Sequence, residues 1–185
     1  MNDLMEMPGL EQQSAENGRV GRHIMRRHDR EITDFDEMVA VMRRCDVCRL
    51  AFQDGEIPYI VPLNFGMRVQ DGEVVLFFHG ATEGKKYEVM KRQPKAAFEM
   101  DCAHHLVLDD DHHSCTMEYE SVIGSGTVSL LNEDEKYEAL LCLMRQYHSE
   151  DFPFNKDMMA VTNVFCLRVE SMTGKRRKKG NGKQS

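Results

Sequence analysis

Residues 73–92 read EVVLFFHGATEGKKYEVMKR, and this stretch holds a strand, a turn and the start of a helix. Val74, Val75, Leu76, Phe77 and Phe78 form an apolar, β-branched and aromatic run of the length expected of a buried strand. The run ends at His79-Gly80-Ala81, after which Thr82 is a candidate cap for a helix over 82–92 that carries Tyr87, Val89 and Met90. Gly84, Lys85 and Lys86 then fall in its first turn. A first helical turn exposes unpaired backbone N–H groups and a partial positive charge, so it suits an anion such as phosphate. Two lysines there oppose the helix dipole unless an anion lies between them; otherwise they are a solvated surface pair. The stretch fits neither the GxxxxGK[ST] phosphate loop nor the GxGxxG fingerprint.

Upstream, Asp71-Gly72 and Asp54-Gly55 are strong hairpin signals. They divide the chain into strand-like segments over 47–53 and 57–67, which lead into the organising strand as an antiparallel meander. Pro58 and Pro62 cannot donate to a ladder, so the second segment is expected to be bulged or to lie on an edge, with a bulge beside Asn64 freeing backbone groups for a ligand. Asp34 looks like an N-cap with Glu37 at the capping-box position. Phe35, Met38, Val41, Met42 and Cys45 follow at helical spacing, giving a first helix to about Arg44. Residues 1–22 show no sustained apolar period and read as a disordered extension, with order beginning near Met25.

Downstream, Pro94 stops the helix and 96–100 reads as a further strand. Residues 101–114, DCAHHLVLDDDHHS, hold four histidines and four aspartates. No regular ligand spacing appears among them, so they read as a solvated loop and no metal is assigned. Residues 116–131 predict a bent strand with Gly124 and Gly126 at the bend. Asn132 and Glu135 open a helix with Leu140, Leu141, Leu143, Met144 and Tyr147 on its apolar face. A last strand over 161–169 completes the body, and a basic tail over 175–185 follows Gly174. Five or six antiparallel strands and three short helices predict a mainly β protein with helices (α+β), a Greek-key-like antiparallel barrel closed so that it has no free edges. No internal repeat appears.

The net charge of −7 conceals an asymmetry, because residues 175–185 carry +6 and leave −13 on the rest. An acidic body argues against nucleic-acid binding, which needs a basic face to displace counterions. No apolar run reaches the ~20 residues of a membrane-spanning helix. The N-terminus also lacks the basic-then-apolar order of a signal peptide, so the expectation is no membrane association and a cytoplasmic location. Cysteines 45, 48, 102, 115, 142 and 166 are then expected to be reduced thiols. Cys45 and Cys48 have the spacing of half a zinc site but lack a second pair, and read as buried structural thiols.

From Met25 to Arg177 the sequence resembles the FMN-binding split-barrel group related to pyridoxamine 5′-phosphate oxidase, and within it the nitroimidazole-resistance (Nim) branch. The resemblance rests on MRRHDREI (25–32), CRLAF (48–52), PYIVPLNFG (58–66), FFHGATEGKK (77–86), YESVIGSGTVSLL (119–131) and TGKRR (173–177). Each motif alone is weak, but six in order over the domain (23–174) are strong. The resemblance implies a homodimer of split barrels with FMN in grooves between subunits. Lys85 and Lys86 match the basic pair that holds the FMN phosphate. His79 lies where the Nim branch has a histidine, facing phosphate or substrate. Val61, Pro62, Leu63 and Asn64 match the strand whose backbone lines the isoalloxazine ring. Tyr119 and Ser121 match a strand that approaches the cofactor from the partner subunit, and Arg49 and Lys175 lie in recurrent motifs that also serve the fold. The oxidase's C-terminal arginine motif for pyridoxal phosphate is missing, which argues against vitamin B6 oxidation.

The implied activity is an FMN-dependent oxidoreductase, loaded by NAD(P)H or a similar donor and unloaded by an electron-poor small molecule such as a nitroaromatic. His79 is the one titratable group of its motif with a pKa near neutrality, hence the candidate proton donor. Its other reading is a structural hydrogen bond at the strand end. Two further readings stay open: a flavin-binding or sensing protein without turnover, and a haem-binding relative of the same fold.

Overall fold

The structure is a computed structural model that describes residues 26–148 and 152–178. Met25 and the extension expected over 1–22 lie outside the described residues. A single 3-10 turn (His28–Arg30) leads into the short strand β1 (Glu31–Ile32) and helix α1 (Phe35–Arg44). Strands β2 (Cys48–Phe52), β3 (Tyr59–Leu63), β4 (Gly66–Gln70) and β5 (Glu73–Ala81) precede helix α2 (Lys85–Arg92). Two long strands, β6 (Lys95–Asp109) and β7 (Ser114–Leu130), are followed by helices α3 (Glu133–Tyr147) and α4 (Lys156–Ala160) and by strand β8 (Thr162–Arg177).

All eight strands join one antiparallel sheet in the order β3-β2-β6-β7-β8-β5-β4, with β1 added on β8. The two ends of that order, β3 and β4, are consecutive in the chain and separated by Asn64 and Phe65 alone. Three residue steps reach at most ~11 Å, so the sheet has to roll until its edges meet at this corner. No ladder joins β3 to β4. The barrel is therefore stitched by the chain and left open along the seam, and the closure without edges expected from the sequence is not realised. The single strand expected over 57–67 breaks at the same corner. Phe65 is fully buried there, and a Cβ on Gly66 would lie 2.4 Å from the Leu143 backbone nitrogen of α3. The expected edge placement of the proline-bearing strand is observed, since β3 pairs with β2 only.

Every member of the apolar run in β5 is buried because both faces of the strand are covered. Val74, Leu76 and Phe78 point into the barrel beside Phe52, Phe65, Phe98 and Phe165. Val75 and Phe77 point outward beneath α3, against Ala139, Leu140 and Cys142. Side chains of this kind contribute ~1.5–3 kcal/mol each on full burial. Helix α1 lays Met38, Val41 and Met42 into the same interior, and the Asp34 carboxylate accepts from the Glu37 N–H at 2.8 Å as an N-cap. A full capping box starts α3, with Asn132 and Glu135 each accepting from the other's backbone N–H.

Three further expectations are corrected. Residues 101–109 are strand, not loop, and the strand expected over 116–131 begins at Ser114: β6 and β7 continue as a two-stranded arm with a bulge between Cys102 and His105. The arm is wet on both faces, so its residues never show the alternation that marks a half-buried strand. Strand β8 does not stop near Val169 but continues to Arg177, taking in the first residues assigned to the basic tail. Arg176 is held there because its guanidinium donates to Glu120 at 2.6 Å and to Glu37 at 2.9 Å. Burial disfavours charge on Glu120, but the bonds from Arg44 and Arg176 outweigh it and hold the carboxyl below its usual range. Helix α4 has no counterpart in the expectations. Cys45 and Cys48 sit in the core, where burial pushes both thiols up, as expected of structural cysteines.

Candidate active site

Gly84 rather than Thr82 is the N-cap of α2. It adopts φ 134° and ψ 160°, a conformation that costs glycine little and other residues a great deal. This turn swings α2 back so that Lys85 and Lys86 stand beside the end of β5. Lys85 reaches Asp54 in the β2–β3 turn at 2.8 Å, and its ammonium lies 5.0 Å from the Tyr59 ring centroid. Asp54 also takes Arg92 at 2.7 Å, and the hydrogen bond from Lys85, joined by that from Arg92, lowers its pKa. Lys86 makes no ion pair among the described residues, and its ammonium sits 4.5 Å over the Tyr87 ring. The two lysines are thus unequal: Lys85 is already neutralised, and Lys86 is the free cation.

Beneath Lys86 the strand presents Gly80. A Cβ at that position would lie 2.7 Å from the Lys86 Nζ and 2.9 Å from the Tyr87 Oη, so the two polar groups pack directly on the glycine and any larger residue would displace them. The Tyr87 hydroxyl is buried and has no hydrogen-bond partner, a state that costs ~1–3 kcal/mol. An anionic oxygen would satisfy both groups once the flexible Lys86 arm moves off Gly80, so their chemistry suits a phosphate. Sequence reasoning placed Tyr87 on the apolar face of α2 and gave Gly80 no role. The only trace was a tyrosine at a helical core position directly after two lysines.

His79 alternates with Phe77 and Val75 on the outward face of β5. It borders a cavity of about 200 Å³ lined by Leu140, Leu143 and Met144 of α3 together with Phe154 and Met159. Burial first, and the Lys86 charge second, lower its pKa from the usual 6.5. A neutral imidazole on the solvent-exposed rim of this apolar groove can accept or pass on a proton.

The other expected residues fall into two groups. Val61 and Leu63 turn their side chains to the core, so toward a ligand they offer only the backbone of the free β3 edge. Pro62 faces outward, opposite Arg49 on β2. The Arg49 guanidinium is taken up by Glu99 at 3.0 Å and by Asp101. Asn64 donates to the Asp46 carbonyl at 3.2 Å, and Tyr147 donates to the same oxygen at 2.7 Å. These two side chains pin the corner. Ser121 and Lys175 are direct cross-strand neighbours, and Tyr119 pairs with Arg177. They lie on β7 and β8, separated from β3 by β2 and β6. Within one chain Lys85 and Lys86 stand at the start of α2, the His79 side chain lies on the other face of the adjoining end of β5, toward α3, and Tyr119, Ser121 and Lys175 stand apart from the β3 edge.

A rolled antiparallel sheet with its seam left open defines a split barrel, and the sequence agrees. A profile of the pyridoxamine 5′-phosphate oxidase family matches residues 34–176, and the chain belongs to that family. Among solved structures, a candidate 5-nitroimidazole antibiotic resistance protein from Bacteroides thetaiotaomicron is 30% identical, with 79% of this chain and 86% of that one covered and a TM-score of 0.69. A flavocytochrome from Azotobacter vinelandii shares the fold at TM-score 0.69 and 18% identity, covering 85% of this chain and 73% of its own. An FAD- and haem-binding protein from Mycobacterium smegmatis does so at TM-score 0.69 and 18% identity, covering 81% and 74%. No curated protein matches the sequence. No helix among the described residues is long and apolar enough to cross a membrane.

Proposed function

We propose that the protein is an FMN-dependent reductase of electron-poor small molecules, nitroaromatics among them, working as a homodimer. The observation that carries this reading is the meeting of the unpaired Lys86 ammonium and an unsatisfied Tyr87 hydroxyl over Gly80, at the strand end that also carries His79 on its other face. Lys86, with Lys85 behind it, would hold the phosphate. The free backbone edge of β3 from Val61 to Asn64 would bond the polar rim of the ring. Tyr119, Ser121 and Lys175 would approach from the partner subunit, which accounts for their distance from the β3 edge in a single chain, whereas Arg49 stands beside that edge, opposite Pro62. When bound, FMN supplies hydride and electron transfer between a reduced nicotinamide and the acceptor. His79 would hold the proton that the acceptor takes up, and the cavity under α3 would admit a flat apolar molecule. The 30% identity to the nitroimidazole-resistance structure supports this choice of acceptor class.

The test is an absorption spectrum of the purified protein before and after anaerobic addition of NADH or NADPH. Flavin bands that bleach, and that return on adding a nitroimidazole, are the expected result. Bands that persist under every nicotinamide overturn the reductase in favour of a binding or sensing role. A Soret band moves the site to haem, and a colourless protein that refuses added FMN removes the flavin altogether.

A further inference from the structure

The packing of Tyr87 is explained by its ring alone. The ring meets Phe165 edge-on at a centroid distance of 6.0 Å and belongs to the interior cluster with Val89 and Met90. Phenylalanine would fill the same volume without stranding a hydroxyl, and a stranded hydroxyl is costly. The hydroxyl therefore points to a partner that is a ligand atom. We propose that the Tyr87 hydroxyl donates a hydrogen bond to a phosphate monoester seated over Gly80, and that this bond sets a preference for the phosphorylated flavin over the unphosphorylated one. The inference rests on the FMN reading above and extends it to a residue that the site expectations did not include.

Three observations carry it. The Tyr87 Oη and the Lys86 Nζ both lie within 2.9 Å of the point a Cβ on Gly80 would occupy. The Tyr87 hydroxyl has no partner, so it is not bonded to the Lys86 ammonium beside it. Both groups can donate, and neither is paired with an acceptor among the described residues. Burial also raises the Tyr87 pKa, which keeps the phenol protonated and able to donate at neutral pH. The lysine arm, lying across the ring, has four rotatable carbons and swings aside easily, so an arriving phosphate can draw the ammonium outward and uncover the hydroxyl. A charge-assisted bond of this type is among the stronger ones.

The test compares the wild-type protein with Tyr87→Phe in titrations of FMN and of riboflavin, followed by quenching of flavin fluorescence. In parallel, thermal unfolding is recorded in inorganic phosphate against chloride at equal ionic strength. The expected result is FMN binding about tenfold weaker in the variant, with riboflavin affinity unchanged. Equal FMN affinity in the two proteins overturns the inference and leaves the FMN reading standing. If neither protein binds FMN, the FMN reading fails, and the thermal arm decides: phosphate that stabilises the wild type more than the variant supports the Tyr87 bond, and equal stabilisation overturns it.

Discussion

At the scale of single residues, the pair His79 and Lys86 sets the chemistry. Burial and then the Lys86 charge depress the His79 pKa below 6.5, so the folded state prefers the neutral ring. The stability contributed by that preference is complete above the unfolded-state value of ~6.5 and is lost as the pH falls through it toward the lowered folded value. Lys86→Met removes the second cause, so the His79 midpoint rises toward 6.5. Imidazole nitrogen NMR across a pH series reads this directly, and an unmoved midpoint would show that Lys86 does not act on the ring. Turnover should rise as the pH falls through the same midpoint, because a proton donor must be protonated. The lysines were legible in the sequence because two cations in a first helical turn contradict the helix dipole. Tyr87 was not, since a tyrosine among apolar neighbours is indistinguishable from core until the surroundings of its oxygen are seen.

At the scale of elements, local signals were legible and long-range ones were not. The caps Asp34 and Asn132 act on backbone three residues away, and both helices begin where those residues predict. The Asp71-Gly72 turn likewise has both residues at positive φ, as a tight hairpin needs. The break between β3 and β4 depends instead on α3, nearly eighty residues downstream, whose backbone presses on Gly66. Gly66→Ala should therefore destabilise the fold by ~2–3 kcal/mol, because neither the corner nor the Leu143 backbone can move aside. Urea denaturation monitored by circular dichroism measures this, and a loss within error of zero would mean that α3 rides loosely on the corner. The β6 half of the arm was missed for the opposite reason. It has no buried face, so no period betrays it.

At the scale of the whole molecule, the outer face of β3, β2, β6 and β7 carries Ile60 at 60% and Ile123 at 53% exposure, with no helix over them. Apolar residues left bare on a sheet face fit an interface, and this face also holds Pro62, Arg49 and Ser121. If two copies meet there, Ile123→Asp should convert dimer to monomer in analytical ultracentrifugation and abolish FMN binding with it. A monomeric wild type, or a monomeric variant that keeps its flavin, would rule out a shared site. The fold itself was legible because six short motifs in order constrain one topology, whereas no single motif does so.

Strand β8 lies between β7 and β5 and, among the described residues, is the only strand that joins the four-stranded block β3-β2-β6-β7 to the pair β5-β4. It is also the last of the described strands in chain order. On the ribosome the two blocks therefore wait, each with a raw edge, until residues 162–177 have cleared the exit tunnel and can zip between them. Nascent chains of this protein pass through a sticky interval that ends only with that insertion, and holdase chaperones have their opportunity there.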